Sequence, residues 1–171
     1  MTTERLTYGY SEKVSDLENQ SEPITVTQVK AKLNIDFDAH DTEITRLITA
    51  VRQGVEKIFS KSLIGHSVSV LWLNFYDDAP LPYMPFANAD GLTVTDLDGS
   101  TLSSDSYKVR KGGTSSYFIG TFPDGVQVSY NTKGLEDDHV NSLLIDAVGL
   151  CLFEDMTTQQ AINKVFKYAN L

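Results

Sequence analysis

The 171-residue sequence lacks the features that mark disulfide-stabilised, secreted and membrane proteins. Its one cysteine, Cys151, excludes a disulfide framework, and its apolar surroundings predict a buried thiol rather than a nucleophile. No apolar run approaches the roughly 18 residues that a membrane span needs. Residues 1–20 are polar and show no signal peptide. We therefore expect a soluble protein of intracellular origin with no membrane partner.

Positive charge is also scarce. Lys and Arg total 14 against 23 Asp and Glu, which gives a formal net charge of −9. A protein that binds nucleic acid directly usually presents a basic face, so this balance argues against that class of function. A chain of this length buries about 70% of its unfolded surface, so its stability requires neither a metal nor a disulfide.

Motifs of catalysis and nucleotide binding are missing as well. The sequence contains no G-x-S-x-G, P-loop or G-x-G-x-x-G pattern. The three histidines, His40, His66 and His139, lie far apart in different local contexts, as scattered surface histidines do. Residue chemistry alone therefore predicts a non-catalytic interaction protein or a structural protein, and no cofactor is expected.

A long amphipathic helix dominates what is present. Residues 41–60 place apolar side chains on one face, and the other face carries polar side chains such as Arg52 and Glu56, which need water or a polar partner. Asp38 or Asp41 can cap the start of this helix. The apolar stripe comprises Ile44, Leu47, Ile48, Val51, Val55, Ile58 and Phe59.

Three further helices are predicted. A short helix begins with the T-x-x-Q pattern of a capping box at residues 25–28. A helix that is apolar nearly all round follows Asp137 or Asp138 and ends near residue 153. We expect it to pack on the apolar stripe of the long helix, since each then covers the other. A last short helix follows residues 157–158.

Between the two pairs of helices the hydrophobic period changes to that of β-strands. Turn signals at Asp98-Gly99 and Pro123-Asp124-Gly125 separate short runs. A proline-rich stretch after residue 76 breaks the first run, because proline supplies no N–H. We expect one small, mostly antiparallel sheet of four or five strands. The predicted strands are residues 67–75, 92–97, 107–110, 117–119 and 126–130.

This order of elements predicts an α+β fold, in which a small antiparallel β-sheet is inserted into a core of two N-terminal and two C-terminal helices. Residues 1–22 show no sustained period and are predicted to form an N-terminal arm. Residues 23–171 are predicted to form a single domain, helical over 23–64 and 136–169 and β-rich over 65–134.

Two segments carry apolar side chains that have no evident partner within a compact subunit. Contiguous apolar patches usually mark contacts, so we predict that both segments are interaction surfaces. One is the proline-rich loop, and the other is the last helix. The candidate residues are Leu81, Tyr83, Met84 and Phe86 in the loop and Ile162, Val165 and Phe166 in the helix.

An acidic turn over residues 36–43 allows a second hypothesis, that of a metal-dependent enzyme. The residues that such an enzyme would use are Asp36, Asp38, His40 and Asp41, and the turn resembles the start of a calcium loop because it has acids at positions 1 and 3. The turn lacks the glycine at position 6 and the glutamate at position 12 that such a loop uses, so we expect no metal site. Acids that gather at the positive N-terminus of a helix explain the same residues.

The segment after the arm resembles the head–tail connector, or adaptor, family of tailed bacteriophages and prophages. These proteins carry the pattern I-T-hydrophobic-x-x-hydrophobic-K-x-x-L-x-I-D, here residues 24–36, followed by an acidic turn and a long helix. A later strand of the family matches Val126, Val128 and Tyr130, with a late glycine at Gly134. The resemblance covers about residues 23–155. Two departures concern the loop that follows: Leu135 replaces the usual tyrosine, and the usual proline is missing.

The resemblance implies a structural virion protein of the neck, made in the bacterial host cytoplasm. Its relatives form rings, typically of twelve subunits, below the portal, and they bridge the portal to other neck and tail proteins while DNA passes without specific binding. An acidic channel suits such passage, because Lys or Arg would grip the phosphates. A head-closure or tail-completion protein of the neck is the alternative.

Overall fold

The computed structural model describes residues 9–85, 91–111 and 115–169. The described residues form four α-helices and two small antiparallel sheets, which confirms the predicted α+β class. None of the described helices has both the length and the hydropathy to span a membrane.

The chain divides into two compact units. The helical unit comprises Asn19–Ile64 and Gly134–Leu171, and the β unit comprises Met1–Glu18 and Gly65–Lys133. The β unit therefore includes part of the segment that the sequence predicted to be an arm.

The helical unit contains α1 (Val26–Leu33), α2 (Asp41–Phe59), α3 (Asp138–Phe153) and α4 (Thr158–Val165). The predicted capping box at Thr25 is confirmed, since Thr25 Oγ1 accepts from Gln28 N at 3.2 Å and Thr25 N donates to Gln28 Oε1 at 2.7 Å. Asp137 caps α3 as predicted, by accepting from the N–H groups of residues 139 and 140. A second capping box, formed by Thr157 and Gln160, starts α4.

The start of α2 differs from the prediction. The residue at its N-cap is His40, which makes no capping hydrogen bond through its side chain. Asp38 lies before the cap and Asp41 lies within the first turn, and both carboxylates instead contact Lys30 on α1. The acids still lie near the positive end of the helix dipole, where negative charge is favoured. The expected cap is wrong because Lys30 binds both carboxylates.

The predicted pairing of the long helix with the helix after Asp137 is confirmed, because both contribute to one apolar core. Gly54 on α2 marks a close approach to α4, since a Cβ at this position would lie 2.5 Å from Ile162 Cδ1. The buried side chains that α2 and α3 contribute to the core are Ile44, Leu47, Ile48, Val51, Val55, Val140, Leu144, Ile145, Ala147 and Val148.

The β unit holds two sheets rather than the one that the sequence predicted. The first has the strand order β1-β2-β7-β4 and the second the order β3-β6-β5, with every pairing antiparallel. The strands are β1 (Gly9–Asp16), β2 (His66–Leu73), β3 (Phe75–Leu81), β4 (Thr93–Thr95), β5 (Tyr107–Lys111), β6 (Ser116–Phe122) and β7 (Val126–Asn131).

Two strands of the β unit correct the sequence prediction. Residues 9–16, expected in the arm, form the edge strand β1, which pairs with β2 from Gly9 opposite Leu73 to Asp16 opposite His66. The stretch expected to break the first strand forms β3, because Asn74 adopts a left-handed conformation (φ 55°) that redirects the chain into the second sheet. Pro80 is tolerated in β3 because this strand lies at an edge.

The core of the β unit is largely aromatic. Phe118 lies at its centre, fully buried, with the ring of Trp72 stacked on it at a centroid distance of 5.7 Å. Phe75 and Tyr107 also contact the Phe118 ring, at 5.4 and 5.5 Å. Since these side chains come from both sheets, the two sheets share one core.

Candidate interaction surfaces

The acidic turn between α1 and α2 is organised by an ion pair. Lys30 Nζ lies 2.5 Å from Asp38 Oδ1 and 2.9 Å from Asp41 Oδ1. Its hydrogen bond to Asp38 raises the pKa of Lys30 and lowers the pKa of Asp38. In the part of the chain that the structure describes, no three His, Cys, Asp or Glu side chains gather where they could hold a metal ion. The turn therefore ties α1 to α2.

The apolar side chains of α4 lie inside the helical unit. Ile162 is 1% exposed and Phe166 is 2% exposed, whereas Val165 is half-buried. Ile162 packs over Gly54, and the Phe166 ring contacts Phe59 at a centroid distance of 5.9 Å. The expectation that a single chain leaves this face uncovered is therefore wrong. The sequence shows which face of α4 is apolar but does not show that α2 offers a groove at a glycine.

The described part of the proline-rich loop is also covered by its own unit. Leu81 and Met84 are buried and Tyr83 is half-buried, while Phe86 lies outside the described residues. Tyr130 Oη donates to Pro82 O at 2.7 Å, and the His66 ring meets the Tyr83 ring edge-on. These contacts hold the loop against the end of β7, so the expectation of an uncovered loop is wrong for residues 81–84.

Cys151 is half-buried on α3, close to the prediction of a buried thiol. Burial raises the pKa of Cys151, an effect that the hydrogen bond with Thr158 partly offsets. A raised pKa keeps the thiol protonated at neutral pH, which does not suit a nucleophile.

A buried ion-pair network on α2 was missed by the sequence analysis, which assigned its residues to the solvated face. Arg52 and Glu56 are 2% and 3% exposed. Arg52 Nε contacts Glu22 Oε2 at 2.8 Å and Arg52 Nη1 contacts Glu56 Oε2 at 2.7 Å. Burial alone lowers the pKa of Arg52, but its bonds and charge interactions with Glu22 and Glu56 raise it above the ordinary value.

The second oxygen of Glu56 binds the backbone of the segment that follows α2. Glu56 Oε1 accepts from Leu63 N at 2.7 Å and from Ile64 N at 3.2 Å. Gly134 is required beside this segment, because a Cβ there would lie 2.7 Å from Leu63 O. The network therefore fixes the residues at which the chain leaves the helical unit. The i, i+4 spacing of Arg52 and Glu56 was the only local signal of it.

Large hydrophobic side chains are exposed at positions that the sequence analysis did not single out as contacts. In the described chain they are Phe37, Ile58, Leu73, Tyr76, Leu97, Phe153 and Tyr168. Ile58 was expected in the covered stripe of α2, yet it lies at the edge of that stripe and remains exposed. Leu73 and Leu97 lie at the same end of one sheet.

We call this end the β tip and define it as Leu73 with the turns 95–100 and 121–126. The register places its parts together, since Trp72 lies opposite Val126 and Thr95 lies opposite Gln127. A Cβ at Gly125 (φ +106°) would lie 2.9 Å from Trp72 O and 3.1 Å from Leu97 Cδ1. Leu97 therefore sits beside the backbone at the end of β2.

The β tip carries negative charge around these two leucines. Leu73 and Leu97 are 40% and 50% exposed. The tip segments contain Asp96, Asp98 and Asp124 and no Lys or Arg. Asp96 Oδ1 builds the first turn by accepting from the N–H groups of residues 98 and 100, whereas Asp98 and Asp124 are exposed.

The outer face of strands β5 and β6 has the opposite character. Lys108 lies opposite Ile119 and Arg110 opposite Tyr117, so these four side chains share one face. Arg110 stacks on Tyr117 at 4.8 Å and pairs with Asp78 of β3 at 2.9 Å. Lys108 is exposed, and Ile119 and Tyr117 are half-buried. We call this surface the β5–β6 face.

A comparison with protein families matches the part of the chain that contains α1, α2, β2 and β3. Residues 23–87 match the model of the phage gp6-like head-tail connector protein family. No curated protein matches the chain.

Solved structures match over most of the chain. A chain in the neck of an empty GTA particle, computed with C6 symmetry, has a TM-score of 0.60 at 13% sequence identity, over 82% of this chain and 83% of that one. A chain in the virion of a native gene transfer agent (GTA) particle gives the same score and identity, over 81% and 83%. At this identity the likeness establishes the fold. The family match, by contrast, confirms over residues 23–87 the resemblance of this chain to head–tail connector proteins.

Proposed function

We propose that the protein is a structural subunit of the neck of a phage-like particle, in which it joins head to tail. The observation that carries the proposal is the family match over residues 23–87, because this segment contains α1, the acidic turn and α2, on which the helical unit is built. The fold shared with chains of a GTA neck and virion supports the same location.

In this role the protein forms a ring that DNA passes through. The GTA neck with a similar chain was computed with six-fold symmetry, and a ring of twelve copies is compatible with that symmetry. Its partners are then the portal on one side and other neck or tail proteins on the other. Among neck components, the adaptor below the portal is the role that the family match favours over head closure or tail completion.

The charge distribution suits passage of DNA without binding. The net charge is −9, so the lining of a channel is not expected to hold phosphates. Many cations of the described chain are already engaged by its own carboxylates. These are Lys30, Lys32, Arg46, Arg52, Arg110 and Lys164. The role is structural rather than enzymatic, with no cofactor required.

Electron microscopy tests the proposal in two settings. The purified protein, alone or with the portal of its particle, should form rings whose opening admits duplex DNA. In a strain that makes the particle, deleting the gene should yield DNA-filled heads without tails, and expression of the chain in trans should restore tailed particles. Tailed, infectious or DNA-transferring particles in the deletion strain would refute the proposal.

A further inference from the structure

The β tip and the β5–β6 face are chemically complementary surfaces of one chain. The tip presents Leu73 and Leu97 beside the carboxylates of Asp98 and Asp124. The β5–β6 face presents Ile119 and Tyr117 beside Lys108 and Arg110, with Lys111 exposed at the end of the same strand.

The two surfaces do not cover each other within one chain, since Leu73, Leu97 and Lys108 all remain exposed. β6 runs from Ser116, which lies opposite Lys111, to Phe122, which precedes the tip turn. At about 3.3 Å per residue, the steps from Ile119 and Tyr117 to Phe122 separate the face from the tip turn by roughly 10 to 17 Å. A contact between them therefore needs two copies.

We propose that the β tip of one copy docks on the β5–β6 face of a second copy. This inference rests on the proposed ring and names the interface that closes it. Two different surfaces that meet give a head-to-tail contact, which generates a ring when the rotation between copies closes. The exposed leucines gain burial against Ile119 and Tyr117, and opposite charges fix the orientation.

A partner with other chemistry fits the tip less well on these grounds. The tip repels an acidic surface, and the chain as a whole carries a net charge of −9. The β5–β6 face is a described surface on which two exposed cations, Lys108 and Arg110, lie beside half-buried apolar side chains. Asp78 engages Arg110, whereas Lys108 lies opposite Ile119 and faces no carboxylate across the β5–β6 pair.

Charge reversal tests the contact, with sedimentation velocity as the readout of assembly. One variant carries Asp98→Lys and Asp124→Lys at the tip, and the other carries Lys108→Glu and Arg110→Glu on β5. Each variant alone sets like charges against each other, so the concentration at which it assembles should rise at least about tenfold. Circular dichroism should show that both variants remain folded, because all four positions are exposed.

An equimolar mixture of the two variants gives the decisive result. The Lys-bearing tip of the first variant fits the Glu-bearing β5 of the second, and the unaltered surfaces also fit each other. The mixture should therefore assemble like the wild type, with the two variants in equal amounts. A single chain that carries all four substitutions should assemble as well.

The control is Asp36→Lys with Glu136→Lys, which makes the same charge change at exposed positions of the helical unit and should leave assembly unchanged. If the tip variant assembles like this control, or if neither mixing nor the fourfold variant restores assembly, the docking contact is wrong while the ring stands. If the wild-type protein stays monomeric both alone and with its portal, the ring and the docking contact fail together.

Discussion

Arg52 and Glu56 form a buried ion pair one turn apart on α2, with 2.7 Å between Arg52 Nη1 and Glu56 Oε2. The same glutamate accepts two backbone N–H groups of the segment that leaves the helical unit, at Leu63 and Ile64. One carboxylate thus satisfies a buried cation and two buried donors. A side chain with these three roles is costly to remove, because each partner would be left in a low-dielectric interior.

We predict that Glu56→Ala lowers the free energy of unfolding by about 3–5 kcal/mol, the usual cost of breaking a buried ion pair from one side. Glu56→Gln should cost less, since its amide oxygen can still accept from Leu63 and Ile64. Urea denaturation measures both. The control is Glu43→Gln, which removes an exposed partner of Arg46 on the same helix and should change stability by at most about 0.5 kcal/mol. Equal, small effects of Glu56→Ala and Glu43→Gln would contradict the network.

The pairing of α2 with α3 leads to a second prediction. Leu144 is 1% exposed in the core that both helices share. Leu144→Asp should destabilise the protein by roughly 4 kcal/mol or more, because it buries a carboxylate without a partner. Phe153→Asp, at the exposed end of the same helix, is the matched control and should melt close to the wild type. Similar thermal melts for the two variants would show that α3 does not pack as described.

Local patterns in the sequence predicted the helical unit well. The stripe of α2, the capping box at Thr25 and the cap at Asp137 each depend on residues within a few positions of one another, so short-range periodicity and hydrogen-bond chemistry reveal them. The turn at Asp98-Gly99 is of the same kind, and Gly99 adopts the positive φ of 86° that such a turn uses.

The features that the sequence did not reveal depend on partners distant in the chain. Strand β1 pairs with residues fifty or more positions away in the chain. Glu12 lies opposite the buried Val70, so the sequence of β1 does not show the alternation of polar and apolar residues that marks a strand. In the sequence, Arg52 and Glu56 resemble solvent-exposed charges, because Glu22, which pairs with Arg52, lies in a distant part of the chain. The sequence of α4 does not reveal what covers its apolar face, because the groove that receives Ile162 lies at Gly54 on α2.

The ion pair of Lys30 with Asp38 leads to a prediction about pH. The pKa of Asp38 is lowered in the folded protein, so its charge stabilises the fold above its unfolded pKa, and this contribution is lost as pH falls through the lower folded value. Asp38→Asn should therefore differ from the wild type at neutral pH and converge with it in acid. Because Asp38 is fully exposed, solvent screens the effect and the difference should be small. Thermal melts from pH 7 to pH 2 measure it, and a difference that grows in acid would contradict the assignment.

The last prediction concerns residues 157–171, the segment that contains α4. Ile162 and Phe166 are buried in the helical unit, and burying each such side chain contributes about 1.5–3 kcal/mol. Their joint loss, with the cavity left beside Gly54, removes an amount comparable to the whole stability of an ordinary domain. Deleting residues 157–171 should therefore unfold the helical unit, seen as loss of helical circular dichroism and of a cooperative melt. Deleting only residues 168–171 is the control, because Tyr168 is 84% exposed, and that protein should fold. A longer truncation that keeps its helical signal and its melting temperature would instead show that α4 is dispensable to its own chain and free to contact a neighbour.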